Sequence, residues 1–181
     1  TKNFYPTHDI CPLSAGWFAR EFGLVHTDSD TIDLAARLEE CGVKMDFSNC
    51  TDITYLFYQA RISHLPELNI SIVTNYSSNS LLFGGYVKTI DKLIIGENQN
   101  ICDVFGYATD LEDVTIEGVI TQGINMSWSN KLSINSMKNI ISCLANHKGT
   151  DNEFVYKVTF TEARWTALEA DSTSPTGTTW R

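Results

Sequence analysis

The sequence predicts an α/β solenoid, with short parallel strands on one face, helical or 3-10 turns on the other, and a cap at each end. Three observations carry this. A phrase recurs three times between Thr51 and Glu117, its copies follow at a period in the low twenties with varying length, and the flanks show amphipathic helical patterns instead of further copies. Self-similarity at such a period marks a chain that stacks one supersecondary unit on the next.

The first copy runs Ile53-Thr54-Tyr55-Leu56-Phe57 and then Leu65-Pro66-Glu67-Leu68-Asn69-Ile70. The second runs Leu82-Phe83-Gly84-Gly85-Tyr86 and then Ile90-Asp91-Lys92-Leu93-Ile94-Ile95. The third runs Ile101-Cys102-Asp103-Val104-Phe105 and then Leu111-Glu112-Asp113-Val114-Thr115-Ile116. The phenylalanines fall 26 and 22 residues apart, and the triplet centres Leu68, Leu93 and Val114 fall 25 and 21 apart. An apolar triplet spaced LxxLxL is the strand half of a leucine-rich repeat. The repeat region is therefore assigned to residues 43–130, with Phe57, Phe83 and Phe105 stacked inside as a ladder.

Alternate side chains of a strand point to opposite faces. Leu68 and Ile70, Leu93 and Ile95, and Val114 and Ile116 are predicted to face in. Val43-Lys44-Met45-Asp46-Phe47 reads as a first strand with Met45 and Phe47 inward, and Asn49-Cys50 as its corner. Ile124-Asn125-Met126 reads as a fifth strand, reached by a tight return through Gly118 and Gly123. The outward set is the candidate partner-binding face: Asp46, Glu67, Asn69, Lys92, Ile94, Asp113, Thr115 and Asn125, with Lys44 at its edge.

Residues 1–42 are predicted to form an N-terminal helical cap or flanking segment. Ser29 or Asp30 is placed to cap a helix, Asp33 lies in its acid-preferring first turn, and Leu34, Leu38 and Cys41 share one face. Gly42 supplies the left-handed stop. The aromatic stretch Trp17, Phe18 and Phe22 reads as cover for the core's end. Residues 131–181 are predicted to form a helix–strand–helix cap and a mobile tail. Ser133 or Asn135 caps a helix to about Asn146 carrying Met137, Ile140, Ile141 and Leu144, with Gly149 beyond it. Residues 154–160 form a strand, and Thr161 caps a last helix with Trp165 and Leu168.

Composition narrows the function classes. The chain has 181 residues, a formal charge of −9 and a pI of about 4.8. Its 13 basic residues are scattered, which argues against nucleic acid as a partner. No apolar run approaches the length that spans a bilayer, so no membrane insertion is expected. The start, Thr1-Lys2-Asn3-Phe4-Tyr5-Pro6, carries no signal-peptide pattern, which does not by itself fix a compartment.

Five cysteines (Cys11, Cys41, Cys50, Cys102, Cys143) form no CxxC pair and read as small buried hydrophobes. His8, Asp9 and Cys11 lie close together, but no second ligand pair follows, so no metal is predicted. No phosphate loop, GxSxG elbow or HExxH occurs, and His8, His26, His64 and His147 are dispersed. Neither an enzyme nor a cofactor is expected. Four Asn-x-Ser/Thr sites begin at Asn49, Asn69, Asn75 and Asn125, a number that chance accounts for in a chain this rich in Asn and Ser.

The aliphatic-Phe pairs, the LxxLxL triplets and the stretch Asp46-Phe47-Ser48-Asn49-Cys50-Thr51-Asp52-Ile53 together resemble the BspA-like leucine-rich repeats of bacterial surface proteins, protists and prophages. The resemblance covers roughly residues 43–170, and Leu132 to Trp165 looks like the helix-plus-strand ending that follows such repeats. Tyr86 departs from the pattern, where a small residue is usual. The resemblance implies a non-enzymatic module without cofactor, recognising a protein or glycan in adhesion or phage attachment. It points to a cell surface, a secreted form or a phage particle rather than the cytoplasm. The alternative it leaves is a structural component of a surface array or phage particle, with self-association.

Overall fold

The computed structural model describes residues 2–4, 31–47, 50, 53, 56–57, 60–73, 83–145 and 158–171. Within them the elements are β1 (Lys2–Phe4), β2 (Ile32–Asp33), α1 (Leu34–Cys41), β3 (Val43–Met45), β4 (Ile62–Leu65), β5 (Leu68–Asn69), β6 (Thr89–Ile94), β7 (Asp113–Glu117), β8 (Ile124–Asn125), α2 (Ile134–Ser142), β9 (Val158–Thr159) and α3 (Glu162–Ala170).

All strand pairs among the described residues are parallel. β4 and β5 both pair with β6, at Thr89–Ile90 and Leu93–Ile94 respectively, so they are two halves of one pass of the chain. The interruption falls at Pro66, which has no amide to donate to a ladder. β7 pairs with the other side of β6. The register there departs from the expected one: Leu93 sits opposite Ile116, not Val114. β6 spends one residue more than β7 between its two apolar partners, a bulge that leaves Asp91 and Lys92 both outward.

The inward set packs as the repeats imply. Leu68, Ile70, Leu93, Ile95, Val114 and Ile116 are all buried. Phe57, Phe83 and Phe105 are fully enclosed and stack, with centroids 6.1 and 5.1 Å apart. Among the described residues, i→i+3 bonds of the 3-10 kind close the turns that carry them, among them Leu56 N–H to Ile53 O, Ala60 N–H to Phe57 O, Val104 N–H to Ile101 O and Ala108 N–H to Phe105 O. Gln99 lies in the core and joins neighbouring passes. Its Nε2 donates to the carbonyls of Ile70 (2.8 Å) and Val73 (2.9 Å), and its Oε1 accepts from Gly96 N–H (2.8 Å).

The N-terminal side differs from expectation in two ways. The cap of α1 is Asp33, whose Oδ1 accepts from Ala36 N–H at 2.9 Å; Ser29 and Asp30 lie outside the described residues. Gly42 takes the predicted left-handed conformation at φ 64. β3 does not extend the main sheet but pairs with β1, and β2 takes the sheet's edge beside β4. Phe47 is buried and Met45 packs against the core.

On the far side a fourth pass runs beside the third. Asn125 N–H bonds Cys102 O (2.9 Å), Ser129 Oγ–H bonds Ala108 O (3.1 Å), Lys131 pairs with Asp110 (2.7 Å), and Ser133 N–H bonds Glu112 O (2.7 Å). Residues 124–129 therefore occupy the turn position of this pass, and Met126 is buried. The predicted fifth strand beside β7 is corrected: β8 pairs with β9, and α2 takes the strand's place. Ser136 Oγ accepts from Val114 N–H, and Asn139 bonds both backbone groups of Ile116, so the outer edge of β7 is already occupied. An edge strand left bare invites pairing with another chain, and here side chains of a helix cover it.

α2 is capped by Ser133 and ends at Ser142, four residues short of the expected Asn146; Met137, Ile140 and Ile141 are buried and Leu144 half-buried. Thr161 caps α3, and Phe160 meets Trp165 edge-on at 5.2 Å. Of the strand expected over 154–160, only Val158–Thr159 is described as strand; residues 154–157, like Gly149 and the tail, lie outside the described residues.

Candidate functional site

The outward faces of β4, β5, β6 and β7 form one surface, built in rows across neighbouring strands. In one row Lys92 of β6 stands between Glu67 and Glu117, with Nζ to carboxylate distances of 3.2 and 3.4 Å. These contacts hold the ammonium in its charged form and raise the Lys92 pKa. In the other row His64 of β4 stands between Asp33 of β2 and Asp91 of β6. Nδ1 lies 3.0 Å from Asp33 Oδ1 and Nε2 lies 2.8 Å from Asp91 Oδ1.

Burial works against charging this imidazole, but the bonds and charges of Asp91 and Asp33 outweigh it and raise the His64 pKa. Burial likewise opposes ionisation of Asp33, yet the amide of Ala36 and His64 together lower its pKa. The bulge between Ile90 and Leu93 makes both rows possible, because it turns the adjacent residues Asp91 and Lys92 to the same face.

The eight candidate residues separate on this surface. Glu67 and Lys92 belong to the ion-paired row. Asp113 and Thr115 are exposed on β7, and Ile94 is half-buried on β6. Asn69 is exposed at the end of β5, where its Oδ1 accepts from the amide (3.1 Å) and hydroxyl (2.7 Å) of Ser71. Asp46 lies just past β3, half-buried in a small hollow with Met45, Phe47, Asn69, Ser71 and Ile72. Asn125 is not on this face; it belongs to the β8–β9 pair, and its Oδ1 accepts from Ser127 N–H.

The sequence reading did not single out Asp33, His64, Asp91 or Glu117 for this surface. Only Asp91 had a local signal, its place beside Lys92 in the two-residue gap of LxxLxL; Asp33, His64 and Glu117 lie outside those gaps and join the rows only through strand pairing.

A second exposed feature lies on the turns. Tyr107 and Trp128, 46% and 50% exposed, stack with centroids 5.6 Å apart. They occupy equivalent places in the third and fourth passes. In the second copy, Tyr86 carries the guanidinium of Arg61 over its ring at 5.2 Å.

Among the described residues no group of three or more His, Cys, Asp or Glu is placed to hold a metal ion, and no helix is long and apolar enough to cross a membrane. His8, Asp9 and Cys11 fall outside the described residues. Cys50, Cys102 and Cys143 are half-buried free thiols, and burial raises the pKa of each. No family model, curated protein or solved structure matches the chain.

Proposed function

We propose that this chain is a short leucine-rich-repeat solenoid of the BspA-like kind, acting as a non-enzymatic recognition module for a protein or glycan partner. The reading rests on one observation. Side chains from β2, β4, β6 and β7 stand in fixed rows on an exposed face, above a core whose inward positions are all filled. A face fixed in this way loses little side-chain entropy when a partner covers it. His64 has both ring nitrogens committed to carboxylates, which leaves neither free to activate a nucleophile.

The test is a pull-down or glycan array with the intact domain and with Thr115→Arg and Asn69→Arg. Thr115 is exposed, so Thr115→Arg is expected to leave stability within about 0.5 kcal/mol. Asn69→Arg also gives up the bonds to Ser71, about 1 kcal/mol, so its melting curve is compared with the wild type before capture is read. Loss of capture by either variant supports the reading, and normal capture by both removes this face as the site.

The exposed Tyr107–Trp128 stack favours a second reading, in which the chain is an assembly component that associates through its turns. Sedimentation of the wild type and of Trp128→Ser decides it. A wild-type oligomer that Trp128→Ser dissociates supports assembly, and a monomeric wild type at high concentration excludes it.

A further inference from the structure

Asp33, His64 and Asp91 have a consequence apart from any partner. They come from three neighbouring elements: Asp33 ends β2 and caps α1, His64 lies on β4, and Asp91 lies on β6. A neutral imidazole has one N–H and one lone pair. With carboxylate oxygens at 3.0 Å from Nδ1 and 2.8 Å from Nε2, only the doubly protonated ring donates to both. The neutral ring must turn a lone pair toward one of the two carboxylates, which repels it.

We propose that these three side chains form a proton-held clamp, which fastens β2 and the first turn of α1 to the sheet while His64 is charged and loosens that edge when it is not. β2 is only two residues long, and its register against β4 is irregular, so few ladder bonds secure it without the clamp. Asp33 cannot turn away without also giving up Ala36 N–H, which ties the helix cap to the same event.

The charged groups acting on His64 are Asp91 from β6 and Asp33 from β2. α1 also carries Arg37, Glu39 and Glu40, of which Arg37 and Glu40 pair with each other at 2.8 Å. On β4's own flank, Arg61 lies over Tyr86. The sign follows from the raised His64 pKa. The clamp's stabilisation is complete below the ordinary value of 6.5 and is lost as pH rises through the higher folded value. At the acid end the lowered Asp33 pKa sets the limit: that contribution is present above 3.8 and is lost as pH falls through the folded value. The described thiols do not interfere, since all three are raised above 9.0.

The experiment is an NMR titration of the full chain between about pH 5 and about pH 9, a range that brackets ordinary histidine. The His64 ring is identified by its loss in His64→Gln, and amide exchange of Ala36 and of β2–β4 is followed in the same samples. The expected result has three parts: His64 protonated on both nitrogens beyond 6.5, a lower midpoint in Asp91→Asn, and exchange protection at Ala36 and β2 that falls as His64 deprotonates. The clamp is overturned if His64 titrates at or below the ordinary value, or if protection at Ala36 and β2 does not change through its midpoint. Asp91→Asn alters an exposed side chain, so it reports on the clamp even if His64→Gln fails to fold.

Discussion

Asn139 closes both backbone groups of Ile116. Its Oδ1 accepts the Ile116 N–H at 2.6 Å, and its Nδ2 donates to the Ile116 carbonyl at 3.1 Å. One helix side chain thus stands in for the next strand, with Ser136 doing the same for Val114 N–H at 2.9 Å.

Asn139→Leu leaves the Ile116 amide without a partner on a half-buried edge. An unsatisfied group of this kind costs about 1–3 kcal/mol, and Cys143 Sγ, 3.2 Å from the Ile116 carbonyl, offsets only the acceptor side. Urea denaturation measures the loss, and sizing shows whether the uncovered edge pairs with a second chain. Unchanged stability would mean that α2 does not cover β7.

Phe83 stands between Phe57 and Phe105 in the enclosed ladder. Phe83→Ala removes the central rung and is expected to destabilise the protein by about 3–5 kcal/mol. Phe83→Leu keeps much of the volume and should cost clearly less. Equal losses for the two variants, measured by thermal or chemical melts, would contradict the stacked ladder.

Two glycines separate backbone conformation from space. Gly42 has φ 64 with nothing near a would-be Cβ, so Gly42→Ala should cost about 1 kcal/mol. Gly118 has φ 127, and a Cβ there would lie 2.6 Å from both Ile95 O and Ile95 Cγ1. Gly118→Ala should therefore cost roughly 2–4 kcal/mol, since strain and overlap add. Parallel denaturation curves test the order, and a Gly118→Ala curve matching that of Gly42→Ala would refute it.

The thiols of Cys50, Cys102 and Cys143 are held above their ordinary pKa of 9.0, in each case first by burial. The thiolate is the reactive form, so these sites should alkylate slowly near neutral pH and quickly once the chain is denatured. Peptide mapping after iodoacetamide reads each site separately, and fast labelling of native Cys143 would contradict its half-buried position.

The inward positions were legible in the repeats, because burying an apolar triplet leaves each residue little choice of direction. The caps Ser133 and Thr161 and the stop at Gly42 were legible for a similar local reason: each satisfies a helix end within a few residues of itself. The candidate face was only partly legible. Glu67, Lys92, Asn69, Ile94, Asp113 and Thr115 lie on it, but its ion-paired rows also need Asp33, His64, Asp91 and Glu117. Those rows depend on the bulge in β6, and a bulge is a relation between two strands, visible in neither alone.

By itself, then, the sequence determined which side chains go in: the Phe ladder, the buried triplets, and the apolar faces of α1 and α2. Tertiary structure decided which backbone edge meets which. β3 joined β1, β2 took the sheet edge, and α2 took the place expected for Ile124–Met126. Side chains differ from residue to residue and can be sorted by what they avoid, whereas nearly every residue carries the same N–H and C=O. Which of these identical groups pair is settled only when distant segments compete for one edge, and at β7 Asn139 and Ser136 are the groups that hold it.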